Sequence, residues 1–304
     1  MLPKKLAKYI NSRETLPVAL TDEAKQFKLV YTEDDFSIEI LNESLMSIED
    51  NLIWAINVSN YIPKTKKARV AIFNRRDKIG VIKLDLVDVL LLDSENIYLY
   101  KISAARTYLL PSYSIFADYF AYAIKKRFRN TNDIWRLRKL FVYYLKPKPS
   151  FFLSVKDSNK FDIFPIDLTG KISKDHFLVA VKSTNQAISI IKSARVLCLT
   201  AVPFSMVDLV YKHSEQRKKG MMNLENLTFN VCESQVLRIP VPDFAIYVNE
   251  FHVEQSFEKG LYTVFIMKSV NKYTLSDALQ VAHTPWYNKQ FFNSGHSPVN
   301  SLTR

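Results

Sequence analysis

From Phe27 onward, apolar and polar positions alternate with a period of two. Phe27–Tyr31 and Phe36–Leu41 read as strands, followed by Leu52–Val58, Ala68–Phe73, Lys78–Leu84 and Ile97–Ile102. All are rich in β-branched and aromatic residues, which suit a pleated, half-buried surface. Residues 1–26 lack the alternation and read as a helical or irregular lead-in, and Asn60–Lys67, with Pro63, as a basic connection. After Pro111-Ser112 the period lengthens. Ile115, Phe116, Tyr119, Phe120, Ala123 and Ile124 make the apolar stripe of an amphipathic helix over Tyr113–Arg129. Asn130-Thr131-Asn132-Asp133 then caps a second helix, Ile134 to about Tyr144, which Lys146-Pro147-Lys148-Pro149 stops.

Beyond those prolines the cadence differs. Ser150–Lys156, Lys160–Phe164 and Phe177–Val181 are strands, Gln186–Ala194 a helix and Arg195–Thr200 a fourth strand. Pro203 to about His213 reads as helical. Ala245–Gln255 and Tyr262–Val270 form a hairpin turning at Glu258-Lys259-Gly260. The expected organisation is a mixed N-terminal region over residues 1–145, strands then two helices, a β domain over 146–290, and a mobile tail over 291–304.

Composition removes several function classes. Five glycines, none close to another, cannot supply the phosphate loop of P-loop enzymes, the dinucleotide glycine fingerprint or a GxSxG elbow. Two cysteines and five dispersed histidines give no zinc pattern, and no metal site is expected. Both cysteines read as buried thiols of a reducing compartment. The basic start lacks a continuous apolar region, and the most apolar stretch, Val81–Leu92, carries Lys83, Asp85 and Asp88. No signal peptide and no membrane span are therefore expected, and the chain reads as cytoplasmic. With 304 residues and a net charge of +12, anionic partners are favoured. The basic runs are dispersed and read as solvated faces, and no aromatic–basic motif of a nucleic-acid-binding sheet is present.

One stretch carries candidate chemistry. Lys182-Ser183-Thr184-Asn185 lies between a strand and a helix. Small polar side chains there can cap the helix. With the free N–H groups, the helix dipole and Lys182, they can equally hold a phosphate. Upstream runs Phe164-Pro165-Ile166-Asp167-Leu168-Thr169-Gly170. The order Phe151–Lys156, Phe161–Gly170, Phe177–Thr184, helix, Arg195–Val202 resembles the flavin reductase-like family of FMN-binding split barrels. Leu237–Pro242, the later hairpin and His283-Thr284-Pro285-Trp286-Tyr287 follow the same family order, and the resemblance spans about residues 146–290.

The resemblance implies a six-stranded antiparallel split barrel with rim helices, FMN as cofactor, and a homodimer with flavin at the subunit interface. It implies that Ser183, Thr184 and Asn185, with Lys182, touch the phosphate, and that Phe164, Pro165, Ile166, Asp167, Leu168 and Thr169 run beside the flavin ring. His283 would stand near the nicotinamide of NAD(P)H. The implied activity is hydride transfer between NAD(P)H and flavin. A non-enzymatic FMN- or haem-binding module of the same barrel is the alternative.

Overall fold

In a computed structural model, described over residues 15–20, 26–47, 52–58, 61–92, 96–109, 132–158, 160–217 and 224–285, the chain is mainly β. The expected helix Tyr113–Arg129, the tail 291–304 and Trp286-Tyr287 lie outside these residues.

The first strand, β1 (Thr15–Ala19), pairs far away in sequence and is taken up below. The next seven are β2 (Phe27–Glu33), β3 (Phe36–Glu39), β4 (Asn42–Ser47), β5 (Ile53–Asn57), β6 (Lys67–Asn74), β7 (Asp77–Leu91) and β8 (Asn96–Thr107). They form one sheet in the order β3-β2-β6-β7-β8-β5-β4, with neighbours antiparallel. The alternation read from the sequence sets its faces: β2 buries Phe27, Leu29, Tyr31 and Glu33 and turns Lys28, Val30 and Thr32 away. Helix α1 (Asn132–Tyr143) follows and leads into the short β9 (Lys148–Pro149).

The second large sheet comprises β10 (Phe151–Asp157), β11 (Lys160–Ile166), β12 (Thr169–Lys171), β13 (His176–Lys182), β14 (Val196–Ala201), β17 (Tyr247–Lys259) and β18 (Tyr262–Thr274). Its order is β11-β10-β14-β17-β18-β13-β12. The two edge strands, β11 and β12, are successive stretches of one segment, broken only at Asp167-Leu168. Ala180 N donates to Leu168 O across this corner (2.9 Å). The sheet therefore curls until one bent strand serves both edges, and β11 with β12 counted as one gives the six strands expected. Leu153, Leu199, Phe251 and Phe265 are buried in it. Helix α2 (Ala187–Ala194) buries Ala187, Ile188, Ile190 and Ile191. It ends at Arg195, whose left-handed φ of 55° lets its N–H reach Ile191 O. Helix α3 (Val207–Arg217) covers Phe152, Phe161 and Ile163 from outside. A small pair, β15 (Val231–Glu233) and β16 (Pro240–Pro242), precedes the β17–β18 hairpin. That hairpin turns on Gly260, whose φ of 58° suits the first position of a two-residue loop.

Three features differ from the sequence reading. Thr15–Ala19, read as lead-in, is a strand because it anneals to β19 (Val281–Pro285), which also pairs with β9. Asn42–Ser47, with no clean alternation, becomes a strand by pairing with β5. Cys232 is exposed, while Cys198 is buried and its thiol is pushed up to about 12 by burial.

The two large sheets share one hydrophobic core. They meet where β4 crosses β12. A methyl group at Gly170 would stand 2.1 Å from Glu43 O and 3.1 Å from Ser44 Cα, so the backbones approach as only glycine allows.

Buried phenols tie this core to pH. Tyr31 hydroxyl donates to Glu33 (3.0 Å) and lies 2.8 Å from the Tyr100 hydroxyl, while Tyr143 hydroxyl donates to Glu43 (3.1 Å). Burial, first of all, raises all three phenols above their usual value near 10. A raised phenol contributes stability that is complete below the unfolded value and lost as pH rises above it. Each pH unit above 10 should therefore cost about 1.4 kcal/mol per phenol still protonated in the fold. An alkaline titration should show tyrosinate absorbance lagging and then appearing together with loss of far-ultraviolet β signal. Smooth titration of all tyrosines near pH 10 with the fold intact would contradict this.

Candidate functional site

The corner between β11 and β12 and the turn after β13 are neighbours in the curled sheet. Thr169 pairs with Val179, and Lys182 lies three residues farther along β13, about 10 Å away at the usual strand rise. Thr169, ending the first sequence-predicted segment, and Lys182, starting the second, thus lie on the adjacent strands β12 and β13, while Phe164–Ile166 lie on β11 beside β10.

The first segment is largely internal. Phe164, Ile166, Leu168 and Thr169 are buried, while Pro165 and Asp167 are half-buried. Asp167 accepts a hydrogen bond from Tyr144 hydroxyl (3.1 Å), which comes from the end of α1. Beside it, Thr169 Oγ1 and, on β4, Ser44 Oγ are buried and have no hydrogen-bond partner.

The second segment is open: Lys182, Ser183 and Thr184 are exposed and Asn185 is half-buried. Asn185 Oδ1 accepts from Ala187 N (2.9 Å), so it caps α2. Ser183 Oγ donates to Glu258 Oε2 (2.8 Å) and lies 3.2 Å from Thr263 Oγ1. Thr263 Oγ1 also donates to Glu258 (2.9 Å), and Lys192 Nζ lies 3.3 Å from it. The Ser183 hydroxyl, more than any other group, holds Glu258 below the usual carboxylate range, helped by Thr263 and Lys192. In the sequence, Glu258 reads only as part of the hairpin turn. The strand register brings it here: Glu258 pairs with Thr263, and Thr263 with Val181.

His283 sits apart in the three-stranded sheet β1-β19-β9. It is 7% exposed, and both ring nitrogens are engaged, Nδ1 with Ser150 Oγ (2.8 Å) and Nε2 with Tyr211 hydroxyl (2.9 Å). Such a bracket fixes the ring's orientation. Among the described residues no cluster of His, Cys, Asp and Glu suited to a metal is present, and no helix is long and apolar enough to cross a membrane.

Beneath the corner lies a second charged centre that sequence reading missed. Glu43 of β4 pairs with Lys148 of β9 and accepts from Trp54 Nε1 (2.5 Å) and Tyr143 hydroxyl (3.1 Å). Lys148 Nζ stands 4.0 Å from the centre of the Tyr143 ring. This centre locks β4, α1 and β9 against the corner.

Against these contacts a flavin mononucleotide fits unevenly. The unpartnered hydroxyls of Thr169 and Ser44 suit the polar edge of a flavin ring. At the other end, the Ser183 hydroxyl is spent on Glu258 and the Ala187 N–H on Asn185 Oδ1, so a phosphate would meet a carboxylate and two committed donors. The phosphate end fits poorly in this arrangement.

No protein-family model matches the chain, and no curated protein sequence is significantly similar to it. Among solved structures, an FMN-binding protein from Thermus thermophilus with bound p-hydroxybenzaldehyde is similar at 15% identity, over 48% of this chain and 88% of that one, with a TM-score of 0.40. The Streptomyces globisporus C-1027 NADH:FAD oxidoreductase SgcE6 is similar at 12% identity, over 50% and 83% of the two chains, with a TM-score of 0.41. Nitrilotriacetate monooxygenase component B from Mycobacterium thermoresistibile is similar at 11% identity, over 51% and 88%, with a TM-score of 0.43. The solved structures that this chain is similar to thus include FMN-binding proteins and flavin reductases.

Proposed function

We propose that the curled domain binds a flavin and works as a flavin reductase-like oxidoreductase, with NAD(P)H as the hydride donor and FMN the form that the sequence resemblance implies. The observation that carries this reading is the meeting of two segments at the β12–β13 pair. One is the Pro165–Thr169 corner with its unpartnered buried hydroxyl, and the other is the exposed Lys182-Ser183-Thr184 turn. A bound flavin would supply the redox chemistry. The chain's own part is to seat the ring against the corner and to keep the corner rigid through Tyr144 and the Glu43 centre. A cytoplasmic homodimer belongs to the same reading.

A second reading, a non-enzymatic flavin- or haem-binding module, draws on a different observation. Backbone of β4 lies against Gly170, and Tyr144 covers Asp167, which narrows the approach for a nicotinamide. The absorbance of the purified protein separates the readings. Flavin bands that bleach under anaerobic NADH or NADPH support the oxidoreductase. Flavin bands that do not bleach, or a Soret band, support the module. A colourless protein that takes up neither cofactor overturns both.

A further inference from the structure

We infer that Glu258 is an internal anion standing in the place of a ligand phosphate, and that this site therefore selects a flavin without a 5′-phosphate, of the riboflavin class, over FMN. The inference rests on the flavin reading above and refines its ligand.

Three donors converge on the Glu258 carboxylate: Ser183 Oγ at 2.8 Å, Thr263 Oγ1 at 2.9 Å and Lys192 Nζ at 3.3 Å. Two hydroxyls and an ammonium around one anion are the donor set expected of a phosphate site. Here the chain fills it with its own carboxylate. Four backbone donors nearby are committed as well. Ser183 N donates to Leu261 O (2.8 Å), Asn185 N to Lys182 O (2.8 Å) and Ile188 N to Asn185 O (3.1 Å), while Ala187 N takes the Asn185 side chain (2.9 Å). A phosphate arriving at this turn would meet a negative charge and lose its hydroxyl donors to it. The ring end carries no such conflict, because Thr169 Oγ1 on β12 and Ser44 Oγ on β4 have no hydrogen-bond partner.

Glu258 is itself 56% exposed, at the end of a hairpin, so replacing it leaves the core untouched. Glu258→Gln keeps the shape and removes the charge; Glu258→Ala removes both and serves as the second variant. The full-length protein and both variants, checked by thermal melting, are titrated with riboflavin and with FMN at one ionic strength, by quenching of flavin fluorescence. The parent should bind riboflavin at least as tightly as FMN. In both variants the preference for FMN over riboflavin should rise tenfold or more, with riboflavin affinity within threefold of the parent. A parent that prefers FMN, or a shift below tenfold in the folded variants, overturns the inference while leaving the flavin reading standing. Absence of binding of either flavin by all three proteins overturns the flavin reading, and this inference with it.

Discussion

Glu43→Ala should destabilise the protein by about 3–5 kcal/mol, the cost of stranding one partner of a buried ion pair. The side chains of Glu43 and Lys148 are 7% and 8% exposed. Burial works to raise the Glu43 carboxyl, but Lys148 and Lys146 outweigh it and hold the group below its usual value. Lys148 is pushed down to about 8, because burial outweighs the attraction of Glu43. Without Glu43 the ammonium keeps only the faces of Tyr143 and Trp54, at 4.0 and 5.9 Å, and two donors, Trp54 Nε1 and Tyr143 hydroxyl, lose their acceptor. The pH dependence follows from the sign of the Lys148 shift. An amine whose folded value lies below its unfolded value destabilises the fold while it is charged. That cost is relieved as pH rises from the folded toward the unfolded value. Denaturant titrations at pH 6 and pH 9 should therefore find the variant relatively better off at pH 9. Glu43→Gln combined with Lys148→Met should recover much of the loss by removing the stranded charge. A loss under about 1 kcal/mol for Glu43→Ala would mean that the pair is hydrated and does not lock the seam.

Gly170→Ala should cost about 3 kcal/mol or more, at the upper end of overpacking substitutions, and lower Tm by roughly 6 °C or more for a chain of this size. The reason is space, since the added methyl would stand 2.1 Å from Glu43 O and 3.1 Å from Glu43 C, both backbone atoms of a paired strand. Either β4 or β12 must move, and with it the Asp167-Leu168 corner that closes the sheet. Gly80→Ala is the internal comparison. Its methyl would meet Leu145 Cδ1 at 2.7 Å, the end of a flexible side chain, with Val142 Cγ1 and the backbone Arg106 O no nearer than 3.3 Å. The expected order in thermal melts is a large loss for Gly170→Ala and about 1 kcal/mol for Gly80→Ala. Equal losses would show that the seam yields as easily as a side chain.

Much of the architecture was legible along the chain because it is local. Six N-terminal strands, α1, and the run β10, β11, β13, α2, β14 announce themselves by period-two or helical spacing, by Pro147 and Pro149, and by Asn185 before an apolar stripe. Each depends on residues a few positions apart, where propensity and periodicity act. The candidate segments Phe164–Thr169 and Lys182–Asn185 were legible for the same reason, as polar or kinked breaks at strand ends.

Tertiary structure decided the rest. Thr15–Ala19 is a strand only because residues more than 260 positions later pair with it. Asn42–Ser47 is one only because β5 and the Gly170 seam hold it. Glu43 and Lys148, 105 residues apart, are an ordinary acid and base in sequence and an enclosed pair in the fold. Glu258 reaches Ser183 across 75 residues through the register of β13, β18 and β17. Local patterning determines which stretches become strands and helices. Which charges face one another depends on the register and closure of the sheets, and those arise from long-range pairing that no window of the sequence contains.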